Sequence, residues 1–315
     1  MSIDRVATAQ QSQFYLSHIN QAAGAMDKTQ AQIASGKNAT TYAGFGDQAQ
    51  MLEASISANA RNDNYATATN LAITQSDMQN TQLTALAGLG DQLRQAVSGA
   101  VSSNDSSGLM TQVQSVFEEA VSILNSKDAN GDYIYGGGKT DTAPVTVTSL
   151  SQLLALPAVS GAFTNGNVKK SVQVADGTTV QFGVTASDAG TGLMQALKDI
   201  ATFDAGGTGN FAANPTMTKA QGDFLTTQIA STADVTAKMN TVTAGNGFVY
   251  NRLQDAQDQQ TSMTTLYKGF ISGIQDTNMA SAATQLSLNQ TAFQAALSVT
   301  AGLNQLSLLN YLPVK

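Results

Sequence analysis

The residues that could do chemistry are few, and their spacing suits none of the chemistries they suggest. His18 is the only histidine, and helical spacing sets Phe14 and Gln21 around it, with no partner for a charge-relay arrangement beyond common Ser and Asp. A partly exposed helix position is expected. The glutamates are Glu53, Glu118 and Glu119; adjacent residues point to different parts of a helix surface, so the last two make no paired-carboxylate acid and base. The run Asp128 to Asp132, DANGD, resembles the start of a calcium loop. Its glycine comes too early, however, and Lys139 stands where such a loop needs a bidentate glutamate. Gly136-Gly137-Gly138-Lys139-Thr140 invites comparison with a phosphate loop, but no glycine lies five positions before Gly138. A tight turn and a flexible junction are expected instead. Asp176, Asp188, Asp199 and Asp204 show no ligand spacing. No catalytic, cofactor-binding or metal-binding residue is assigned.

The elements around these residues read as machinery for packing helices together. Leu16, Ile19, Ala23, Met26, Gln30 and Ile33 follow alternating steps of three and four, and so do Leu253, Ala256, Gln260, Met263, Tyr267, Phe270 and Ile274. With Ala, Gln and Thr at many of these positions the apolar stripe is thin, a stripe suited to cover by several helices. Composition agrees with assembly more than with catalysis. Of the 315 residues only 12% are charged, about half the usual share, and Gln, Asn, Ser and Thr form the polar surface. The net charge of −7 and the absence of a sustained basic stripe exclude nucleic acid as an expected partner. No cysteine is present, which removes thiolate chemistry and suits an oxidising exterior. No stretch has the roughly twenty apolar residues of a membrane span, and the first thirty residues lack the apolar core of a cleaved signal. Export by a dedicated machine is therefore expected if the protein leaves the cell.

Along the chain, helix is predicted from Ile3 to Ala34, closed at Ser35-Gly36-Lys37-Asn38. A glycine-punctuated loop leads to a second helix from Asp47 to about Ala100, weakened near its end by Gly88, Gly90 and Gly99. A third covers Leu109 to Asn125. The period then changes to short β-rich runs: Val145 to Thr148, and Ser171 to Val174 joined through Asp176-Gly177 to Thr179 to Phe182. A short helix is predicted over Leu193 to Ala201. Helix resumes from Thr218 to Met239, pauses near Thr243 to Gly247, and runs from Phe248 almost to Leu312, where Pro313 ends it. The expected fold is mainly α: a long antiparallel helical stem built by both ends of the chain, with a small α+β, β-rich domain inserted at 140–216. The corresponding divisions are 1–46, 47–139, 140–216, 217–275 and 276–315. Glycine and proline at both edges of 140–216 make it a removable insert by expectation.

Two sets of residues complete this picture. Leu16, Ile19, Met26 and Ile33 with Leu286, Phe293, Leu297, Leu303, Leu306 and Leu309 are expected on the seams of the terminal helices, available for assembly. Leu86, Leu89, Leu93, Phe117, Leu253, Met263, Tyr267, Phe270 and Ile274 are expected in the core of the stem.

Several motifs resemble the flagellin superfamily, most of all its hook-associated branch at the junction of hook and filament. Gln32-Ile33-Ala34-Ser35-Gly36-Lys37 resembles the family's LSSGK pattern. Asp276-Thr277-Asn278-Met279-Ala280, Gln285-Leu286-Ser287, Gln290-Thr291-Ala292 and Gln294-Ala295-Ala296-Leu297 resemble its C-terminal run. The turn from Gly131 to Pro144 and the ending Gln305 to Leu312, QLSLLNYL, are similar to the junction branch in particular. Ala39 to Phe45 departs from the acidic run usual at that place. The resemblance implies an extracellular structural subunit of the bacterial flagellum, exported without a cleaved signal peptide. Implied partners are further copies of itself, the hook-side hook-associated protein, flagellin and an export chaperone, with neither nucleic acid nor membrane. A filament flagellin is the alternative within the family. A ligand-binding or adhesive domain on a helical stalk is the alternative outside it.

Overall fold

A computed structural model describes residues 3–213 and 216–309, with side chains for all of these except 3–9, 11–12 and 303–309. The chain is mainly α, with one two-stranded antiparallel sheet. In order it forms α1 (Ile3–Ser35), α2 (Ala49–Ser103), α3 (Leu109–Leu124), α4 (Leu150–Ala155), β1 (Lys170–Ala175), β2 (Thr178–Phe182), α5 (Ala186–Ala205), α6 (Lys219–Gln275) and α7 (Met279–Leu309). Two compact units result. One comprises 1–61 with 263–315, the other 62–262.

The unit of residues 62–262 holds the main core. Leu86, Leu89, Leu93 and Val97 of α2 form one continuous apolar cluster with Phe117 and Leu124 of α3, Leu193 and Leu197 of α5, and Leu225, Val235 and Met239 of α6. Gly90 lies where α2 approaches α6: a Cβ there would stand 2.9 Å from Thr236 Oγ1. The glycine expected to weaken α2 is thus what admits its partner. Burial outweighs the helix propensity lost, which is about 1 kcal/mol per glycine.

Val145, Val147, Leu150, Leu153 and Phe211 belong to this same cluster. Residues from Val145 to Phe211 therefore contribute to this core, which corrects the expectation of a removable insert. The segment is also less β-rich than expected. Val145 to Thr148 forms only a single bridge to Phe163, because its partner strand ends at once in the turn around Ala162. The helix expected over Leu193 to Ala201 extends to Ala186–Ala205, and the Thr185 hydroxyl caps its first turn by accepting from Asp188 N.

The hairpin is formed as its pattern requires. Val172 pairs with Val180, and the inward Val172, Val174, Val180 and Phe182 pack on Ala72 of α2 and Leu253 of α6. Gln79 ties α2 to this region from a buried position. Its Nε2 donates to the carbonyls of Ile134 at 3.1 Å and Val184 at 3.2 Å, and its Oε1 accepts from Val184 N at 3.0 Å.

Helix α6 continues through Thr243 to Gly247, where a pause was expected. The Asn246 side chain is buried and bonded to Ser76, so tertiary contacts hold the helix together despite two nearby glycines. Its actual end is at Gln275, where an uninterrupted helix was expected.

Candidate assembly interface

The unit of residues 1–61 and 263–315 is built around α1 and α7, which pack along each other. On α1 the inward side chains are Tyr15, Ile19, Ala22, Met26, Thr29 and Ile33, in steps of four and three; Thr29 is buried and the others part-buried. On α7 they are Ala282, Leu286, Asn289, Phe293, Ala296 and Thr300, again in steps of four and three. The expected Ile19, Met26, Ile33, Leu286 and Phe293 lie on these inward rows.

Leu16 and Leu297 do not. Both are exposed on the flanks of the pair, since Tyr15, Ala22 and Thr29 take the places proposed for Leu16, Ala23 and Gln30. A polar layer decides this alignment. Asn289 Nδ2 donates to Thr29 Oγ1 at 3.0 Å and to Ala25 O at 3.2 Å, and Thr29 Oγ1 donates to Ala25 O at 2.8 Å. A hydrophobicity pattern cannot reveal a threonine whose inward position depends on an amide far along the chain. Leu303, Leu306 and Leu309 lie outside the residues whose side chains are described.

Where α1 ends, Gly36 adopts φ 69°, a conformation that glycine reaches without Cβ strain. The following strand-like segment clasps the link between α6 and α7. Thr277 N donates to Gly36 O at 2.9 Å, and Asn38 N donates to Gln275 O at 2.7 Å. Asn38 Nδ2 donates to Ile274 O and Asp276 O at 2.9 and 3.0 Å, while its Oδ1 accepts from Thr277 Oγ1 at 3.1 Å. Asn38 thereby occupies carbonyls that the last turn of a helix leaves without intrahelical partners. Asn278 Oδ1 accepts from Ser281 N and opens α7.

The outer surface of this unit is unusual in two ways. Helix α7 contains no ionisable side chain from Met279 to Leu309. Large apolar side chains also stand in solvent on both helices: Phe14 is 59% exposed, Leu288 59%, and Leu16, Leu297 and Val299 are similarly open. Leu288, Ala292, Ala295 and Val299 follow a second three-and-four spacing on α7, turned away from the row that meets α1. Such exposed apolar rows mark surfaces for other chains. His18 sits edge-on to Phe14 at 4.4 Å between ring centroids and is exposed.

The expected stem core divides. Leu86, Leu89, Leu93 and Phe117 are fully buried in the main core, Leu253 lies beneath the hairpin, and Ile274 is buried in the terminal unit. Tyr267 is part-buried. Met263 and Phe270 are a correction: they are 38% and 42% exposed, and Thr264 and Ile271 turn inward in their place. Gln260, Tyr267 and Ile274 keep their places, so beyond Gln260 the inward row steps four then three where three then four was expected.

The chemically suggestive residues serve local structure. Asp128 Oδ1 accepts from Asn130 N and Asp132 N at 2.9 and 3.1 Å, which closes a turn on itself. In the glycine cluster two loops meet backbone to backbone: Gly166 N donates to Gly136 O at 2.9 Å, and a Cβ on Gly137 would lie 2.4 Å from Gly166 O. Glu118 accepts from Gln114 on the surface. Asp176 accepts from Tyr65, Asp188 pairs with Lys169, Asp199 accepts from Gln195, and Asp204 accepts from Phe211 N. Among the described residues no cluster of His, Cys, Asp or Glu could hold a metal, and no helix is long and apolar enough to cross a membrane.

Residues 226–312 match the bacterial flagellin C-terminal helical region. The chain is 25% identical over 187 residues to flagellar hook-associated protein 3 of Salmonella typhimurium, covering 58% of this chain and 56% of that protein. It is 31% identical over 91 residues to flagellar hook-associated protein 3 of Escherichia coli, 28% of this chain and 29% of that one. The aligned part is thus little over half the length of the first relative. Two solved structures share the fold. A flagellar hook-associated protein of Vibrio parahaemolyticus superposes with a TM-score of 0.59 at 19% identity, covering 72% of this chain and 97% of that chain. FlgL of Bacillus cereus superposes with a TM-score of 0.50 at 13% identity, covering 70% and 98%. The chain thus carries the bacterial flagellin C-terminal helical region at 226–312 and shares its fold with these two solved structures.

Proposed function

We propose that this chain is a structural subunit of the bacterial flagellum that joins hook to filament by assembling through its terminal helices. The observation that carries this reading is α7, a helix of 31 residues without an ionisable side chain, whose outer face displays Leu288 and Val299 to solvent. Copies brought together along such a face meet no like-charge repulsion and bury apolar surface. Each contact is small. In a tube every subunit touches several neighbours, so weak contacts sum to a stable lattice while free subunits remain soluble.

On this reading 1–46 and 276–315 are the assembly segments, and 47–139 with 217–275 form the stem. The partners are further copies of the chain, a hook-side hook-associated protein and flagellin. An export chaperone is a further partner before the subunit leaves the cell. The role is mechanical rather than catalytic, consistent with acidic residues committed to turns and surface pairs.

Deleting the gene tests the assignment. Hooks without filaments, together with unpolymerised flagellin in the medium, are the expected result, and normal filaments on the deletion strain overturn it. Immunolabelling of intact flagella separates the two readings within the family. A short band at the hook supports the junction subunit, whereas label along the whole filament supports a flagellin.

A further inference from the structure

We propose that the axial register of α1 against α7 is chosen by two polar locks, Thr29 with Asn289 and Asn38 with the α6 to α7 link, rather than by the apolar seam. The inference concerns the free chain, so it stands or falls separately from the junction reading.

The seam cannot choose a register well because it repeats. One heptad from Asn289 in either direction lies Ala282 or Ala296, and one heptad from Thr29 lies Ala22 or Gly36. Displacing α1 by a heptad, about 10 Å of helix, would again set small and apolar side chains against each other. It would also place alanine opposite Thr29, and leave the Asn289 amide facing a residue with no hydroxyl. The segment 36–48 between α1 and α2 gives the slack for such a displacement.

The polar contacts are what the displaced pair would lose. The part-buried Asn289 donates to the hydroxyl of the buried Thr29 and to Ala25 O, and a displaced pair gives up both bonds, so one polar position in a seam can select a register that apolar positions leave open. Asn38 acts at the inner end of the same pair. Its side chain and backbone bind Ile274 O, Gln275 O and Asp276 O and receive Thr277 Oγ1. Two locks on two different segments explain how so thin a seam presents one arrangement. Both residues are positioning residues: they determine where Phe14 and Leu16 stand along α7.

Disulfide trapping in the full-length free chain tests this, because the protein has no cysteine and any introduced pair is the only one. In the observed antiparallel register, Ala22 and Ala296 lie one heptad along from Thr29 and Asn289, so Ala22→Cys with Ala296→Cys reports that register. Tyr15→Cys with Ala296→Cys, and Met26→Cys with Thr300→Cys, report displacement by a heptad in each direction. With both locks intact, only the first pair is expected to cross-link under mild oxidation. Asn38→Ala or Asn289→Ala alone should preserve that result. Together they should bring a displaced pair up to a yield comparable with the first, at unchanged helix content by far-ultraviolet circular dichroism. Combined with Asn38→Ala, Thr29→Ser should retain the single register and Thr29→Val should lose it.

A merely stabilising role would lower helix content without creating displaced cross-links, and that outcome overturns the proposal. So does a single register in the doubly substituted chain, a displaced link with both locks intact, or no link from any pair.

Discussion

Asn246 of α6 and Ser76 of α2 join their helices by two buried hydrogen bonds: Asn246 Nδ2 donates to Ser76 O at 2.9 Å, and Ser76 Oγ donates to Asn246 Oδ1 at 3.2 Å. The α2 and α6 contact has this character again at Thr69 and Gln260, both buried. Gln260 Nε2 reaches both Thr69 Oγ1 at 2.9 Å and Val174 O at 2.8 Å, linking both helices to the hairpin. Removing the Asn246 amide strands buried groups of its partner. Asn246→Ala should therefore destabilise the unit of residues 62–262 by about 2 kcal/mol, read as a lower urea midpoint at unchanged slope. An unaltered midpoint would mean that water replaces the amide without penalty.

Phe117 has no exposed surface, whereas Phe270 is 42% exposed. Phe117→Ala should cost about 3–5 kcal/mol through lost transfer and an internal cavity. Phe270→Ala and Met263→Ala should stay within about 0.5 kcal/mol of the unaltered chain. Equal losses for all three, measured by denaturant unfolding, would restore Met263 and Phe270 to the core.

Phe293 lies on the inward row of α7, and Leu288 on the outward one. An aspartate at either position should block assembly, for different reasons. Phe293→Asp puts a charge into the α1 and α7 seam, so protection of α1 and α7 amides from hydrogen exchange should fall while the unit of residues 62–262 stays folded. Leu288→Asp should leave exchange in the free chain unchanged and weaken only association between copies, followed by sedimentation. Normal assembly with Leu288→Asp would remove this face from the interface.

Replacing residues 140–216 with a short Gly/Ser linker strips Leu153, Leu193, Leu197 and Phe211 from the cluster that covers Phe117 and Leu124. The truncated chain should lose cooperative unfolding and be digested rapidly by protease. A stable, protease-resistant product would show that α2, α3 and α6 make a sufficient core by themselves.

Tyr135 is fully buried, and its hydroxyl has no hydrogen-bond partner among the described residues. Burial pushes its phenol well above the ordinary tyrosine range. The sign of the consequence follows from proton binding. Above the unfolded value of about 10 the unfolded chain loses this proton while the folded chain keeps it, so stability is full below that pH and declines above it. Tyr135→Phe should remove this residue's share of the alkaline decline. At neutral pH it should be neutral or stabilising by about 1 kcal/mol, because an unpartnered buried hydroxyl is lost. A clear loss of stability at neutral pH would reveal a partner for the hydroxyl.

The sequence by itself determined most of the helices, the hairpin and the closure of α1 at Gly36, because each follows from spacing within a few neighbouring residues. The three-and-four repeats, the alternating valines on either side of Asp176-Gly177 and the glycine after Ser35 act locally. Motifs at both ends also carried the family resemblance. Only the tertiary structure decided which residue of each repeat faces inward. Thr29 replaced Gln30 because Asn289 lies opposite it, and Thr264 and Ile271 replaced Met263 and Phe270 between the fixed positions Gln260, Tyr267 and Ile274. The structure likewise drew Val145 to Phe211 into the core and broke the last helix at Asp276, where Asn38 binds its final carbonyls. These outcomes depend on partners far along the chain, and no local pattern contains them.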